Sequence, residues 1–144
     1  MSVLTMKSDE YKTFPLILRE YAEYTVVVKG NSEKTVCEYL LDLRTFFRFM
    51  KLRASGDIFD HDEFEKISIS DISIEDVRRV SPEHIINYLM FAGFQRNNST
   101  TTRMRKLSAL KSFFRYVHVK RHYVETNPTT DIDAPKKTKP FPNI

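Results

Sequence analysis

The chain has 144 residues and 17.0 kDa, 41% hydrophobic and 12% aromatic, which is enough apolar material for the core of one domain and excludes a disordered tail. Its uncharged apolar runs, such as Val26 to Val28 and Leu89 to Phe94, fall far short of the roughly 20 residues a membrane-spanning helix needs. The net charge of +4 hides an asymmetry: residues 1–80 carry 12 basic and 15 acidic side chains, residues 81–144 carry 11 and 4.

With only 3 glycines, and with the polar, proline-containing stretches near the ends, the middle of the chain predicts helices with short polar connections. The first helix is expected over about residues 14–28, with Thr13 as N-cap, Pro15 tolerated in the first turn and Gly30 ending it. The second starts at Asn31 or Ser32 and runs to about Leu52; Val36, Tyr39, Leu40, Leu43, Phe46, Phe47 and Met50 recur at three- and four-residue steps and mark its buried stripe. An acidic connection follows, in which the Ile67/Ile69 and Ile72/Ile74 alternations permit a short strand or an extended loop. Residues 73–80 predict one or two helical turns, with Ser73 and Asp76 as a partial capping box. The third main helix has Ser81 as N-cap, Pro82 in the first turn and Gly93 just past its end, with Ile85, Ile86, Leu89 and Met90 as core face. The fourth starts near Ser99 and extends to about His118, with Met104, Leu107, Leu110, Phe114 and Val117 as its apolar stripe. Asn127-Pro128 closes the folded part, and residues 134–144, rich in proline and lysine, read as a linker. The expected layout is an N-terminal tail over 1–12, a helical domain over 13–133 and that linker.

The positive half is the informative one. Between Glu83 and Glu125 there is no carboxylate, yet Arg96, Arg103, Arg105, Lys106, Lys111, Arg115, Lys120 and Arg121 all fall there, the electrostatic footprint of a polyanion-binding surface. The competing reading is a basic helix neutralised by the acidic segment between Asp57 and Asp76. At about 100° per residue, Thr101, Arg105, Ser108, Ser112 and Arg115 lie opposite the apolar stripe of the fourth helix, with Lys111 at the border. Small hydroxyls interleaved with long cations let a helix approach a groove while the cations reach phosphates and base edges. On the second helix Lys34, Arg44 and Arg48 could extend that surface, diluted by Glu38 and Asp42.

Enzyme signatures are weak. His118-x-x-Arg121 with Tyr123 is better explained by the preference for cations in a last helical turn than by a nucleophilic centre. His118 and His122 stand one turn apart without a nearby carboxylate, so neither a metal site nor a cofactor is expected. A single cysteine, Cys37, allows no internal disulfide; together with a polar N-terminus unlike a secretory signal it makes a cytoplasmic location the expectation.

Two segments carry a resemblance. Ser32-x-x-Thr35-x-x-x-Tyr39-x-x-Asp42-Leu43-x-x-Phe46, and the run from Thr102-Arg103-Met104-Arg105 to Phe114-Arg115-Tyr116, resemble the two helical signatures of the N-terminal core-binding domain of tyrosine recombinases of the phage-integrase type, in particular the Xer-type enzymes. Asn127-Pro128, Pro135-Lys136-Lys137 and Pro140-x-Pro142 resemble the passage from that domain into its linker. The resemblance implies an all-α, SAM-like fold of four to five helices in two crossed pairs, forming one jaw of a clamp around double-stranded DNA. Transferred by position, Lys34, Arg44 and Arg48 of the second helix, and Arg103, Arg105, Lys106, Ser108, Lys111, Ser112 and Arg115 of the fourth, become the DNA-facing residues. In that family the catalytic residues lie in a separate C-terminal domain. This chain is therefore expected to be a fragment or truncated relative, without catalytic residues of its own, monomeric in isolation and partnered by other protomers in a full-length protein. The acidic stretch over 56–80 is longer than the family's minimal link. An independent helical DNA-binding regulator, and an interaction module whose basic helix docks an acidic protein, are the alternatives.

Overall fold

The computed structural model describes residues 6–133 and is all-helical there, without a strand. Seven helices follow in chain order: α1 (Ser8–Tyr11), α2 (Leu16–Glu23), α3 (Glu33–Ser55), α4 (His61–Glu65), α5 (Ile74–Arg78), α6 (Pro82–Phe94) and α7 (Thr100–Arg115). The fold class is thus the all-α, SAM-like one. The expected linker over 134–144 lies outside the described residues.

Local hydrogen bonding fixes most boundaries. Ser32, Ser73, Ser81 and Ser99 each accept a bond from a backbone N–H three residues on, satisfying a donor that a helix start leaves open. Ser73 and Asp76 form a full capping box. Gly56, at φ 75°, ends α3 in the left-handed region, so that helix runs one turn past the expected stop at Leu52. Thr13 is not the N-cap of α2: Pro15 holds that position, and the Thr13 hydroxyl donates to the Glu10 carbonyl. Both α2 and α7 close with a π-helical turn, Tyr24–Val28 and Tyr116–Lys120. The rings of Tyr24 and Tyr116 pack at 5.1 Å, which sets these two turns side by side.

The core is built around α3, which packs against α2, α4, α6 and α7. Phe46 and Tyr88 meet edge to face at 5.1 Å, Phe49 lies 5.0 Å from Phe91, and Tyr21 lies 5.4 Å from Phe113. Such pairs add about 0.5 to 1.5 kcal/mol beyond their buried area. They also rotate α6. Tyr88 and Phe91 face α3, so the buried residues of α6 are Ile85, Tyr88, Phe91 and Ala92, while Ile86 and Met90, expected in the core, are exposed. Gly93 lies inside α6 rather than beyond it, and the Arg103 side chain crosses close to its missing Cβ.

The permitted strand between α4 and α5 does not form. Its carbonyls are taken by side chains of α3: Arg48 Nε donates to Ile67 O at 2.9 Å and Lys51 Nζ to Ser68 O at 2.7 Å. Ile69 and Ile72 are buried as single anchors. The loop is therefore fastened to α3 and has no strand partner.

Candidate nucleic-acid interface

Helix α7 begins at the Ser99 cap and has no acidic residue in its first turn. Its apolar side, with Leu107, Ala109, Leu110, Phe113 and Phe114, is buried against the rest of the domain. The opposite side leaves Thr101, Arg105, Ser108 and Arg115 exposed, with Lys111 and Ser112 half-buried at its border. That is the face the helical period selects.

Contacts divide the cations into free and committed ones. Asp42 on α3, expected to dilute the surface, is only 4% exposed, and it accepts from Arg105 Nε and Nη2 at 2.9 Å each and from Lys106 Nζ at 3.3 Å. Two cations around one buried carboxylate tie α3 to α7 at the middle of the domain. The Arg105 side chain remains 44% exposed, with the edge of its guanidinium outside the Asp42 pair. Lys106 is 6% exposed, and burial, partly opposed by Asp42, lowers its pKa. This corrects its place among the DNA-facing residues transferred by position: the residue points inward, as its angle on the helix, on the far side from Thr101 and Arg115, requires.

Of the three expected residues on the second predicted helix, Lys34 is exposed at the start of α3 and has no partner among the described residues. The Arg44 guanidinium lies over Phe14 and pairs with Glu10 at 3.5 Å, and Arg48 pairs with Glu65 at 3.0 Å beside its bond to Ile67 O. On α7, Arg103 folds back onto Thr100 Oγ1 at 3.1 Å, and Lys111 Nζ donates to Thr129 O at 3.2 Å. Ser112 Oγ and the Tyr21 hydroxyl are 2.7 Å apart. Arg115 has no partner among the described residues.

The acidic segment does not neutralise this face. Its carboxylates pair with Arg48 and Arg96 through Glu65, with Lys51 through Asp71, and with Arg78 and Arg79 through Glu75 and Asp76. Among the described residues no ion pair joins it to α7, whose carboxylate partner is Asp42. The competing reading of a basic helix quenched by the segment over 57–76 therefore has no support in the geometry.

Two basic residues outside the expected set complete the surface. Lys29, just past the π turn of α2, and Lys120, at the end of the π turn of α7, line an open cavity of about 440 Å³ with Ser112, Arg115, Tyr24 and Tyr116. Lys120 was visible as part of the carboxylate-free stretch; nothing local marks Lys29. The His118-x-x-Arg121 motif is occupied structurally: His118 Nδ1 lies 3.1 Å from Val124 O, and Arg121 donates to the Tyr123 hydroxyl at 2.7 Å and pairs with Glu20. Among the described residues no group of three or more metal-ligating side chains converges, and no helix is long and apolar enough to cross a membrane.

The model of the phage integrase N-terminal SAM-like domain matches residues 18–120. Curated relatives include a tyrosine recombinase XerC of Caldanaerobacter subterraneus subsp. tengcongensis, 37% identical over 85% of this chain and 35% of that protein. The tyrosine recombinase XerC of Herpetosiphon aurantiacus is 29% identical over 87% of this chain and 34% of its own length. A tyrosine recombinase XerD of Oceanobacillus iheyensis is 25% identical over 88% and 36%. The chain thus spans about a third of the length of these relatives. No solved structure matches it significantly.

Proposed function

The chain belongs to the phage integrase N-terminal SAM-like family of tyrosine recombinases, and from that premise we propose that it clamps one side of double-stranded DNA at the core site of a site-specific recombination reaction. The helical domain over about 13–133 is the DNA-binding part on this reading. Strand cleavage and rejoining fall to residues outside it. Other recombinase protomers are its protein partners, and the cytoplasm is its location.

The observation that carries the reading is the outer face of α7, where the hydroxyls of Thr101, Ser108 and the half-buried Ser112 are interleaved with the cations of Arg105 and Arg115 and no carboxylate intervenes. A major groove about 12 Å wide admits one helix, and short hydroxyl side chains along its centre keep the approach close. Cations along the face then reach the phosphates that border the groove. Lys34, Arg105, Lys111 and Arg115, joined by the two cavity lysines, offer about four to six phosphate contacts. Arg44, Arg48 and Arg103 are engaged in contacts within the domain and are not counted among these.

Fluorescence anisotropy of a labelled duplex tests this. With that number of contacts the affinity falls roughly 10²- to 10³-fold between about 50 and 200 mM salt. No binding at the lower salt, or an affinity indifferent to salt, refutes the proposal.

A further inference from the structure

Five open cavities contain basic side chains, and four of them are also lined by carboxylates: Lys51 shares its cavity with Asp57, Asp60 and Glu63, and Arg78 shares its with Glu125. Arg44, Arg48 and Lys66 share theirs with Asp9 and Glu10, and Arg103 shares the α6 groove with Asp131 and Asp133. The cavity between the π turns is different: Lys29, Arg115 and Lys120 surround it, no carboxylate lines it, and none of the three has an ion-pair partner among the described residues. Cations near helix C-termini are favoured by the macrodipole, which accounts for Lys29 and Lys120. Arg115, the last residue of α7, is favoured in the same way; what the macrodipole leaves unexplained is the missing counter-charge.

The hydroxyl chemistry of the cavity is also arranged. Thr25 Oγ1 donates to Tyr21 O at 2.7 Å and is spent. The Tyr21 phenol is buried and held protonated up to about 12 by desolvation, so it can donate to Ser112 Oγ and leave the Ser112 proton for an acceptor in the cavity. Position agrees with this. At about 1.5 Å rise per residue, Arg115 stands roughly 15 Å along α7 from Arg105. With the hydroxyl stripe over a groove about 12 Å wide, the cavity meets the backbone at the groove's edge.

We propose that the cavity formed by Lys29, Ser112, Arg115 and Lys120 is the seat of a duplex phosphodiester group, the main anchor by which the α7 face is registered on DNA. This rests on the duplex-binding reading above and adds a site to it.

The test compares two charge-matched triple variants in the full chain. One is Lys29→Gln/Arg115→Gln/Lys120→Gln; the other is Arg53→Gln/Lys66→Gln/Arg79→Gln, which lies outside the cavity. Urea melts confirm that both fold. The cavity variant should lower the slope of log affinity against log salt by about two to three and weaken duplex binding at about 50 mM salt roughly tenfold per lost contact. The control should change affinity by less than about threefold. Equal losses in the two variants overturn the seat while leaving duplex binding standing, whereas a wild-type chain that binds no duplex removes the reading beneath it and the seat together. Inorganic phosphate alone should leave the Ser112 and Lys120 amide resonances unshifted. Saturable shifts with phosphate, together with an unaltered duplex salt slope in the cavity variant, reassign the cavity to a free anion and overturn the proposal.

Discussion

Replacing Asp42 with alanine removes the acceptor of three charge-assisted hydrogen bonds, two from Arg105 at 2.9 Å and one from Lys106 at 3.3 Å. The consequences for the two donors differ. Arg105 is 44% exposed and regains water, whereas Lys106, 6% exposed, is left as an uncompensated buried ammonium. Removing one partner of a buried pair costs about 3 to 5 kcal/mol, and the partial rehydration of Arg105 places Asp42→Ala near the lower end, at about 3 kcal/mol. Lys106→Met keeps the aliphatic volume and the Asp42–Arg105 pair, so it should cost less than about 1 kcal/mol. If the stranded ammonium is the main penalty, the double variant Asp42→Ala/Lys106→Met recovers about 2 kcal/mol relative to Asp42→Ala. Urea unfolding at constant m value reads all three. An Asp42→Ala loss below about 1 kcal/mol, or a double variant no more stable than the single one, refutes the assignment of Lys106 as a buried charge held by Asp42.

Tyr88 Oη is buried without a hydrogen-bond partner among the described residues, so Tyr88→Phe should be neutral or stabilising by about 1 to 2 kcal/mol, and a loss of more than about 1 kcal/mol in urea contradicts this. Stability should fall above pH 10, because burial holds Tyr21 protonated up to about 12 and pushes Tyr88 higher still, while unfolded phenols ionise near 10. The native state then binds more protons than the unfolded one, and each buried phenol contributes up to about 1.4 kcal/mol of loss per pH unit in that window. Urea midpoints measured near pH 9 and pH 11 check it: a drop for the wild type that shrinks in Tyr21→Phe is expected, and equal midpoints contradict it.

Much of the fold is legible in the chain because it is set by short-range chemistry. The serine caps at Ser32, Ser73, Ser81 and Ser99 act over three residues, and the α7 face follows from the helical period alone. What escapes is decided at long range. Helix α6 is apolar around most of its circumference, so periodicity does not choose its buried side; the fit of Tyr88 and Phe91 against Phe46, Phe49 and Phe64 does. Asp42 and Arg105 are 63 residues apart, and no local pattern announces that a surface-looking aspartate will be buried between two cations. For the same reason the helical period sets Arg105 opposite the apolar stripe without revealing that it holds α7 to α3. Sequence position carried Lys106 into the candidate surface, and its angle on the helix took it out. Lys29 joins the basic cavity only because two π turns from distant helices end side by side.

Two-dimensional amide NMR of the labelled chain, titrated with a duplex at about 50 and 200 mM salt, tests the central claim most directly. The account predicts saturable shifts concentrated on Thr101, Arg105, Ser108, Ser112 and Arg115, weakened at the higher salt, with the acidic segment over 57–76 unmoved. Shifts concentrated instead on the α6 groove around Ile86, Met90 and Phe94, or spread evenly over every exposed lysine and arginine, would contradict it.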